Sequence, residues 1–247
     1  MNSKSSKNDT DNKIFVAFKF LNDNKLIESE QVLNSLLQET ELNNFTSFQL
    51  QQIANIYLML AKFSQAKEIY LKANDLQGSA FASIFLKDLE GAKKLLNKAE
   101  ESSLKIWCKF LIGTFSKKLI ITIWPSFLTI RHFLETTIFL LLKSHNKDYL
   151  SSLRKKLNKL LEINMDSEKF IGYAYHNFGD LDNALSILQK VVKENPYDAE
   201  IHFVIGKIYF KKNMFYKALE ALQNTRLLLS EHIPAIKLIE KIELMLK

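Results

Sequence analysis

The sequence predicts an all-α protein built as a stack of antiparallel helix hairpins with a C-terminal capping helix. Glycine and proline number only 6 and 3 in 247 residues. Such scarcity suits helices joined by short polar turns, whereas sheet proteins need more turn residues. A pattern of small and aromatic residues also recurs at an interval of 34 residues in the C-terminal third. An interval of this length is typical of stacked helical hairpins.

The first 102 residues are predicted to hold a short lead followed by weak copies of the hairpin. Residues 1–13 are polar and lack the apolar stretch of a secretory signal, so we expect a disordered lead. Over 14–102 we expect degenerate hairpins, the last of them turning at Asp88 with a small residue at Ala92. Small, aromatic or aliphatic residues stand at the repeat positions in this region: Ala17, Phe20, Ser29, Leu33, Ala54, Tyr57, Ala66, Tyr70 and Ala73.

The segment 103–164 diverges from this pattern. Its stretch 119–142 is strongly apolar, but Pro125 interrupts it and Arg131, His132 and Glu135 lie near its middle. Each charge would cost about 2.5 kcal/mol or more in a bilayer, and the apolar runs are too short to cross one. We therefore expect a buried apolar hairpin, with helix over 118–123 because a lone strand would have no partner. The alternative is a hairpin that touches a membrane or a partner.

The segment 165–247 is predicted to form two hairpins and a capping helix. A glycine inside a helix costs roughly 1 kcal/mol relative to alanine, so a helical glycine needs a packing reason. We expect glycine in each first helix to admit the second helix, with alanine at the crossing. The corresponding residues are Gly172 and Gly206, Tyr175 and Tyr209, Ala184 and Ala218, and Leu188 and Leu222. Gly179 and Asp180 form the turn, Pro196 ends a second helix, and 233–247 form the cap.

These residues resemble the tetratricopeptide repeat (TPR) family. The resemblance rests on Gly172, Tyr175, Gly179, Asp180, Ala184 and Pro196, and one repeat later on Gly206, Tyr209 and Ala218. Ser230 stands where the family usually has proline. The resemblance implies a right-handed superhelical, TPR-like solenoid. It also implies a concave groove, lined by the first helices, that holds an extended or helical segment of another protein.

The family's groove positions can be transferred to this sequence one by one. They fall on Lys169, Tyr173, His176, Asn177, Phe203, Lys207, Phe210 and Lys211. In the second of the two units, aromatic rings lie beside lysines, whose stems can cover apolar surface while the ammonium groups stay hydrated. An alternative interpretation is that Phe203 and Phe210 pack between helices.

One specialised groove of the family is not expected. TPR domains that bind chaperone tails clamp a terminal carboxylate with a set of lysine, asparagine and arginine residues. Lys169 matches the first lysine, but Tyr173 and Val204 stand at the asparagine positions. Pro234 and Leu238 replace the later basic pair. We therefore do not expect a chaperone-tail clamp.

The charge balance suggests which partners the groove prefers. The net charge is +7, and nearly all of the positive charge is lysine. A basic groove would favour an acidic partner segment, although an AT-rich genome would also raise the lysine content. Nucleic acid is not an expected partner, because no base-reading polar pair recurs between the units. An RNA-binding helical repeat is kept as an alternative.

Residue patterns for catalysis or for cofactors are not recognisable. The six glycines never cluster into a phosphate loop, and the five histidines show no HExxH spacing. The single cysteine, Cys108, lies among apolar neighbours and is expected in the core. We therefore expect no enzyme, metal or cofactor, and predict a cytoplasmic protein-binding scaffold or adaptor. The alternative is a membrane-peripheral assembly factor that uses the apolar hairpin at 119–142.

Overall fold

A computed structural model describes residues 2–116, 125–158 and 164–246. The chain divides into two compact units at Pro125 and Ser126. The described residues of the first unit form seven α-helices and a short 3-10 turn at Leu42–Asn44. The helices are α1 (Asn2–Asn22), α2 (Leu26–Glu39), α3 (Ser47–Met59), α4 (Phe63–Lys72), α5 (Leu76–Phe85), α6 (Leu89–Lys98) and α7 (Ser103–Phe115). Consecutive helices of this unit pack against each other, except that α3 packs mainly on α1 and α4 rather than on α2.

The second unit also consists of helical hairpins. Its helices are α8 (Phe127–Lys143), α9 (Lys147–Leu157), α10 (Asn164–Phe178), α11 (Leu181–Glu194), α12 (Ala199–Lys211), α13 (Phe215–Leu228) and α14 (Ile233–Leu246). The hairpins α10–α11 and α12–α13 correspond to the two predicted repeats, and α14 packs against α13 as the expected last helix. No strand occurs in the described parts of the chain. The predicted fold class is therefore confirmed: the protein is a solenoid of helical hairpins.

Most turns between helices use a residue in the left-handed backbone region. The φ angles of these residues lie between 53° and 96°. The N–H of the next residue then donates to a carbonyl five positions earlier, as from Met214 to Tyr209 at 2.9 Å, which satisfies the helix end. Only Gly179 is a glycine; the others are Asn24, Ala61, Asn74, Lys87, His145 and Asn213. The same turn therefore recurs with little glycine.

Small residues lie where paired helices cross. A Cβ atom added at Gly172 would lie 2.6 Å from Leu188 Cδ2. Ala184 and Ala218 are fully buried. In the first unit, the Ser29 hydroxyl donates to the Ala17 carbonyl at 2.8 Å across the α1–α2 crossing. The packing reason that the sequence indicated for these residues is confirmed.

The start of the chain differs from the expected disordered lead over 1–13. Residues 2–13 belong to α1. Gln49 Nε2 donates to Asp11 Oδ1 at 2.7 Å, and the Lys13 ammonium pairs with Asp9 at 3.5 Å and also with Glu39. Ile14, the next residue, is buried. These contacts to α2 and α3 hold polar residues in a helix that their composition alone does not favour.

The segment 103–164 does not form one divergent stretch. Its first part, α7, packs on α5 and α6 in the first unit, with Trp107, Cys108 and Phe110 fully buried. Its later part, α8 and α9, belongs to the second unit. On α9, Leu153 is buried, whereas Ser152 is exposed. Each part of the segment therefore belongs to the unit whose helices its apolar side chains contact.

The described part of the apolar stretch 119–142 is a single helix. α8 begins after Pro125, where the Ser126 hydroxyl accepts from the Thr129 N–H at 3.2 Å. Residues 117–124, and with them the helix expected at 118–123, lie outside the described residues. Phe127 and Leu128 at the start of α8 are exposed, whereas five later apolar side chains are almost fully buried: Ile130, Leu134, Ile138, Leu140 and Leu141. Within the described ranges, no helix combines the length and apolar character needed to cross a bilayer.

Candidate functional site

Two helices of the second unit carry all eight predicted groove residues. Lys169, Tyr173, His176 and Asn177 lie on α10, and Phe203, Lys207, Phe210 and Lys211 lie on α12. Because α10 and α12 are the first helices of consecutive hairpins, their side chains share one face. The side chains nevertheless differ in what they contact, so they divide into groups with different roles.

Lys169 already forms an ion pair within the protein. Its ammonium lies 2.5 Å from Asp198 Oδ2 and 5.9 Å from the centre of the Tyr173 ring. Asp198 also caps α12, because its Oδ1 accepts from the Ile201 N–H at 3.2 Å. Lys169 therefore ties α10 to the start of α12, and its charge is already matched by a carboxylate.

A directional chain of hydrogen bonds joins α8, α10 and α12. Asn177 Nδ2 donates to Glu135 Oε1 at 2.7 Å, which leaves Asn177 Oδ1 as an acceptor. His176 Nδ1 lies 3.1 Å from that oxygen and must donate to it. The other ring nitrogen, Nε2, is then an acceptor, and Lys211 Nζ donates to it at 3.3 Å. The neutral imidazole therefore positions the Lys211 ammonium.

Burial and neighbouring charges keep this imidazole neutral. Burial, together with the charges of Lys211 and Lys207, lowers the pKa of His176 to about 4. Burial and the charge of Lys207 also lower the pKa of Lys211. On α8, where this series of hydrogen bonds ends, burial raises the pKa of the Glu135 carboxyl. At neutral pH the face therefore presents positive charge at α12.

Lys207 and Lys211 form a lysine pair one helical turn apart on α12. Lys207 lies over the Phe203 ring at 5.4 Å. Among the side chains that the structure describes, neither lysine has an ion pair with a carboxylate. Exposed side chains four residues apart on a helix are close neighbours. The lysine pair therefore concentrates positive charge that the described carboxylates of the chain do not neutralise.

Phe203 and Phe210 pack between helices, as the alternative interpretation held. Both are half-buried against the cluster formed by α13 and α14. The Phe203 ring centre lies 4.5 Å from that of His232, and the Lys241 ammonium covers Phe210 at 5.1 Å. Phe203 thus lies beneath Lys207, and both rings offer little free surface of their own.

Sequence reasoning missed Glu135 and Asp198 as members of this face. Asp198 could have been found, because an aspartate directly before a predicted helix is a common N-cap. Glu135 had no such signal, since it lies in the segment that did not follow the repeat. Its side chain joins the others only because α8 packs against α10.

Comparison with known families gives one match. Residues 170–198 match the model of the tetratricopeptide repeat. This range includes Gly172, the turn at Gly179 and the crossing residue Ala184. No curated protein sequence matches the chain.

Solved structures that are similar to the chain have low sequence identity. A structure of the APC/C hetero-tetramer is 15% identical with a TM-score of 0.38, and the similarity covers 93% of this chain and 42% of that one. YrrB, described as a TPR protein with an unusual peptide-binding site, is 16% identical over 84% of this chain and 97% of its own, with a TM-score of 0.38. A tetratricopeptide repeat protein from Parabacteroides merdae is 14% identical over 95% and 98%, with a TM-score of 0.39.

The matched range forms α10 and α11, and the hairpin of α12 and α13 repeats its crossing geometry. In the second hairpin, a Cβ atom at Gly206 would lie 2.7 Å from Leu222 Cγ, as Gly172 faces Leu188 in the first. Residues 170–198 therefore match a tetratricopeptide repeat, and the hairpin that follows repeats the same crossing geometry.

Proposed function

We propose that this protein is a scaffold that binds an acidic segment of a partner protein on the face formed by α8, α10 and α12. The observation that carries the proposal is the lysine pair, Lys207 and Lys211, which has no carboxylate partner among the described residues. Two ammonium groups on one face attract negative charge and repel a basic partner.

The support beneath Lys211 strengthens this proposal. A free lysine side chain loses roughly 2 kcal/mol of rotamer entropy when a partner orders it. His176 already accepts a hydrogen bond from Lys211 at 3.3 Å, and Asn177 and Glu135 fix the imidazole in turn. The Lys211 side chain is therefore partly ordered before a partner binds.

The surroundings of the pair suggest how the partner is held. A carboxylate beside Lys207 and Lys211 could accept a charge-assisted hydrogen bond from each ammonium, which is about twice as strong as a neutral one. We therefore expect an aspartate or glutamate of the partner to contact both lysines.

Photo-crosslinking in native lysate tests the proposal. A photoreactive amino acid is placed at position 207 or 211, and in matched controls at Lys190 or Lys193, which are exposed on α11. We expect positions 207 and 211 to crosslink to the same protein, within a segment rich in aspartate and glutamate. Mass spectrometry identifies the crosslinked segment.

The control positions decide the outcome. If Lys190 and Lys193 crosslink to the same protein with equal yield, binding is not confined to the α8–α10–α12 face. If the segment crosslinked from 207 and 211 is basic, or if the crosslinked molecule is RNA, the proposed acidic protein partner is wrong.

A further inference from the structure

A cleft in the first unit lies between α1 and the start of α3. Three exposed phenyl rings line it: Phe15 is 67% exposed, Phe18 42% and Phe48 67%. The cleft has a volume of about 710 Å³, within the usual range for sites that hold a small ligand or a few side chains. Its lining residues are Asp11, Ile14, Phe15, Phe18, Thr46, Phe48, Gln49 and Gln52. Exposed aromatic side chains gathered in one concave place commonly mark a binding surface.

A carboxylate is held in place beside these rings. Gln49 Nε2 donates to Asp11 Oδ1 at 2.7 Å. Gln49 is itself fixed, because its Oε1 accepts from the Thr46 N–H at 2.9 Å and its own N–H donates to the Thr46 hydroxyl at 3.2 Å. This capping box at the start of α3 therefore holds the Asp11 carboxylate through one of its oxygens, at the lining of the cleft.

The charge at Asp11 is not neutralised by the described side chains. Lys13, two residues along α1, pairs with Asp9 and Glu39. The described lining of the cleft contains no lysine, arginine or histidine. In a chain of net charge +7, the cleft is thus a local site of negative charge enclosed by aromatic rings.

We propose that this cleft binds a lysine or arginine side chain that lies beside an apolar side chain in a segment of a partner protein. A cation over a phenyl face gains about 0.5–1 kcal/mol at an exposed site. The methylene stem of the same side chain would cover the rings while its charge meets Asp11. This surface is distinct from the lysine pair, because it lies in the other unit and prefers the opposite charge.

Selection from a library of random 12-residue peptides on the full-length chain tests this proposal. We expect enrichment of peptides with lysine or arginine next to a large apolar residue. The variant Phe15→Ala/Phe48→Ala should weaken the affinity of the selected peptides at least tenfold, and Asp11→Asn at least threefold, as measured by fluorescence polarisation. Circular dichroism checks that each variant keeps its helix content.

Two control variants test whether peptide binding depends on the cleft alone. Ile27→Ala removes an equally exposed side chain, 70% exposed, from α2 and should leave the affinity unchanged. Lys207→Ala/Lys211→Ala should also leave it unchanged, so that failure of the lysine-pair proposal and failure of this one remain distinguishable.

Three results would overturn the proposal. The first is selection of peptides without basic residues, and the second is unchanged affinity in the Phe15→Ala/Phe48→Ala variant. The third is a concentration-dependent dimer in analytical ultracentrifugation that this variant abolishes, because the occupant would then be a second copy of the chain.

Discussion

Gly206 of α12 lies directly beneath Leu222 of α13, where an added Cβ would come within 2.7 Å of the Leu222 Cγ. The same relationship joins Gly172 and Leu188 one repeat earlier, at 2.6 Å to Cδ2. Both leucines are fully buried, so neither has free space into which to move. The close approach sets the packing of α10 on α11 and of α12 on α13. Between the two hairpins, His176 of α10 lies beside Lys211 of α12.

The substitution Gly206→Ala is expected to destabilise the protein although alanine favours helix. The gain in helix propensity is roughly 1 kcal/mol, and overpacking a filled core costs about 1–3 kcal/mol. We expect a net loss on the order of 1 kcal/mol in urea unfolding followed by circular dichroism. Ser186→Ala, at an exposed position of α11, is the matched control. Equal or greater stability of Gly206→Ala would show that the crossing has spare volume.

The ion pair between Lys169 and Asp198 is expected to contribute to stability and not to binding. Lys169→Met keeps the stem but leaves a mostly buried carboxylate without its ammonium, at a cost of about 1–3 kcal/mol. Lys72→Met removes an exposed pair with Glu68 and should cost less than about 0.5 kcal/mol. Unfolding measurements on both variants check this difference. Similar losses would mean that burial of the Lys169 pair has no effect.

The low pKa of His176 predicts a stability change in acid. Its pKa is about 4 in the folded chain, against an ordinary value of 6.5. The unfolded chain therefore takes up a proton more readily, and protonation favours unfolding. The stability contribution from neutral His176 is complete above pH 6.5 and is lost progressively as the pH falls towards 4.

Comparison of variants isolates this effect. His176→Gln should show a smaller loss of unfolding free energy between pH 7 and 4 than the unmodified chain. His132→Gln, at an exposed imidazole of α8, should show the same loss as the unmodified chain. Identical pH profiles for all three proteins would mean that His176 takes up its proton equally in the folded and unfolded states.

Cys108 is expected to be unreactive in the folded protein. It is fully buried, and burial raises the pKa of its thiol, so little thiolate is present to react. Labelling with a thiol-reactive chromophore at pH 8 should be negligible until urea unfolds the first unit. Rapid labelling of the native protein would show that α7 opens locally.

The sequence predicted the parts of the fold that depend on side-chain size. Gly172, Gly206, Ala184 and Ala218 recur at one interval because each occupies a crossing where a larger side chain would clash. The turns were harder to recognise. Residues such as Ala61 and Lys87 adopt left-handed backbone angles because the flanking helices and their hydrogen bonds require it, and their side chains carry no signal for that geometry.

The candidate site could be predicted only in part. Lys207 and Lys211 were predicted because the groove positions implied by the family resemblance fall on them. Their environment depends on contacts that residue spacing does not predict. Glu135, which accepts a hydrogen bond from Asn177, belongs to α8, and Lys169 forms an ion pair with Asp198. Phe203 and Phe210 were ambiguous because an aromatic residue on a first helix can either face a partner or pack against the next hairpin.

The affinity of the crosslinked partner for the purified chain tests the central claim most directly. Isothermal titration calorimetry should show at least tenfold weaker binding for Lys207→Ala/Lys211→Ala, a change of about 1.4 kcal/mol or more, and unchanged binding for Lys190→Ala/Lys193→Ala. Equal affinity of the Lys207→Ala/Lys211→Ala variant and the unmodified chain, with the fold intact, would contradict the assignment of partner binding to the lysine pair.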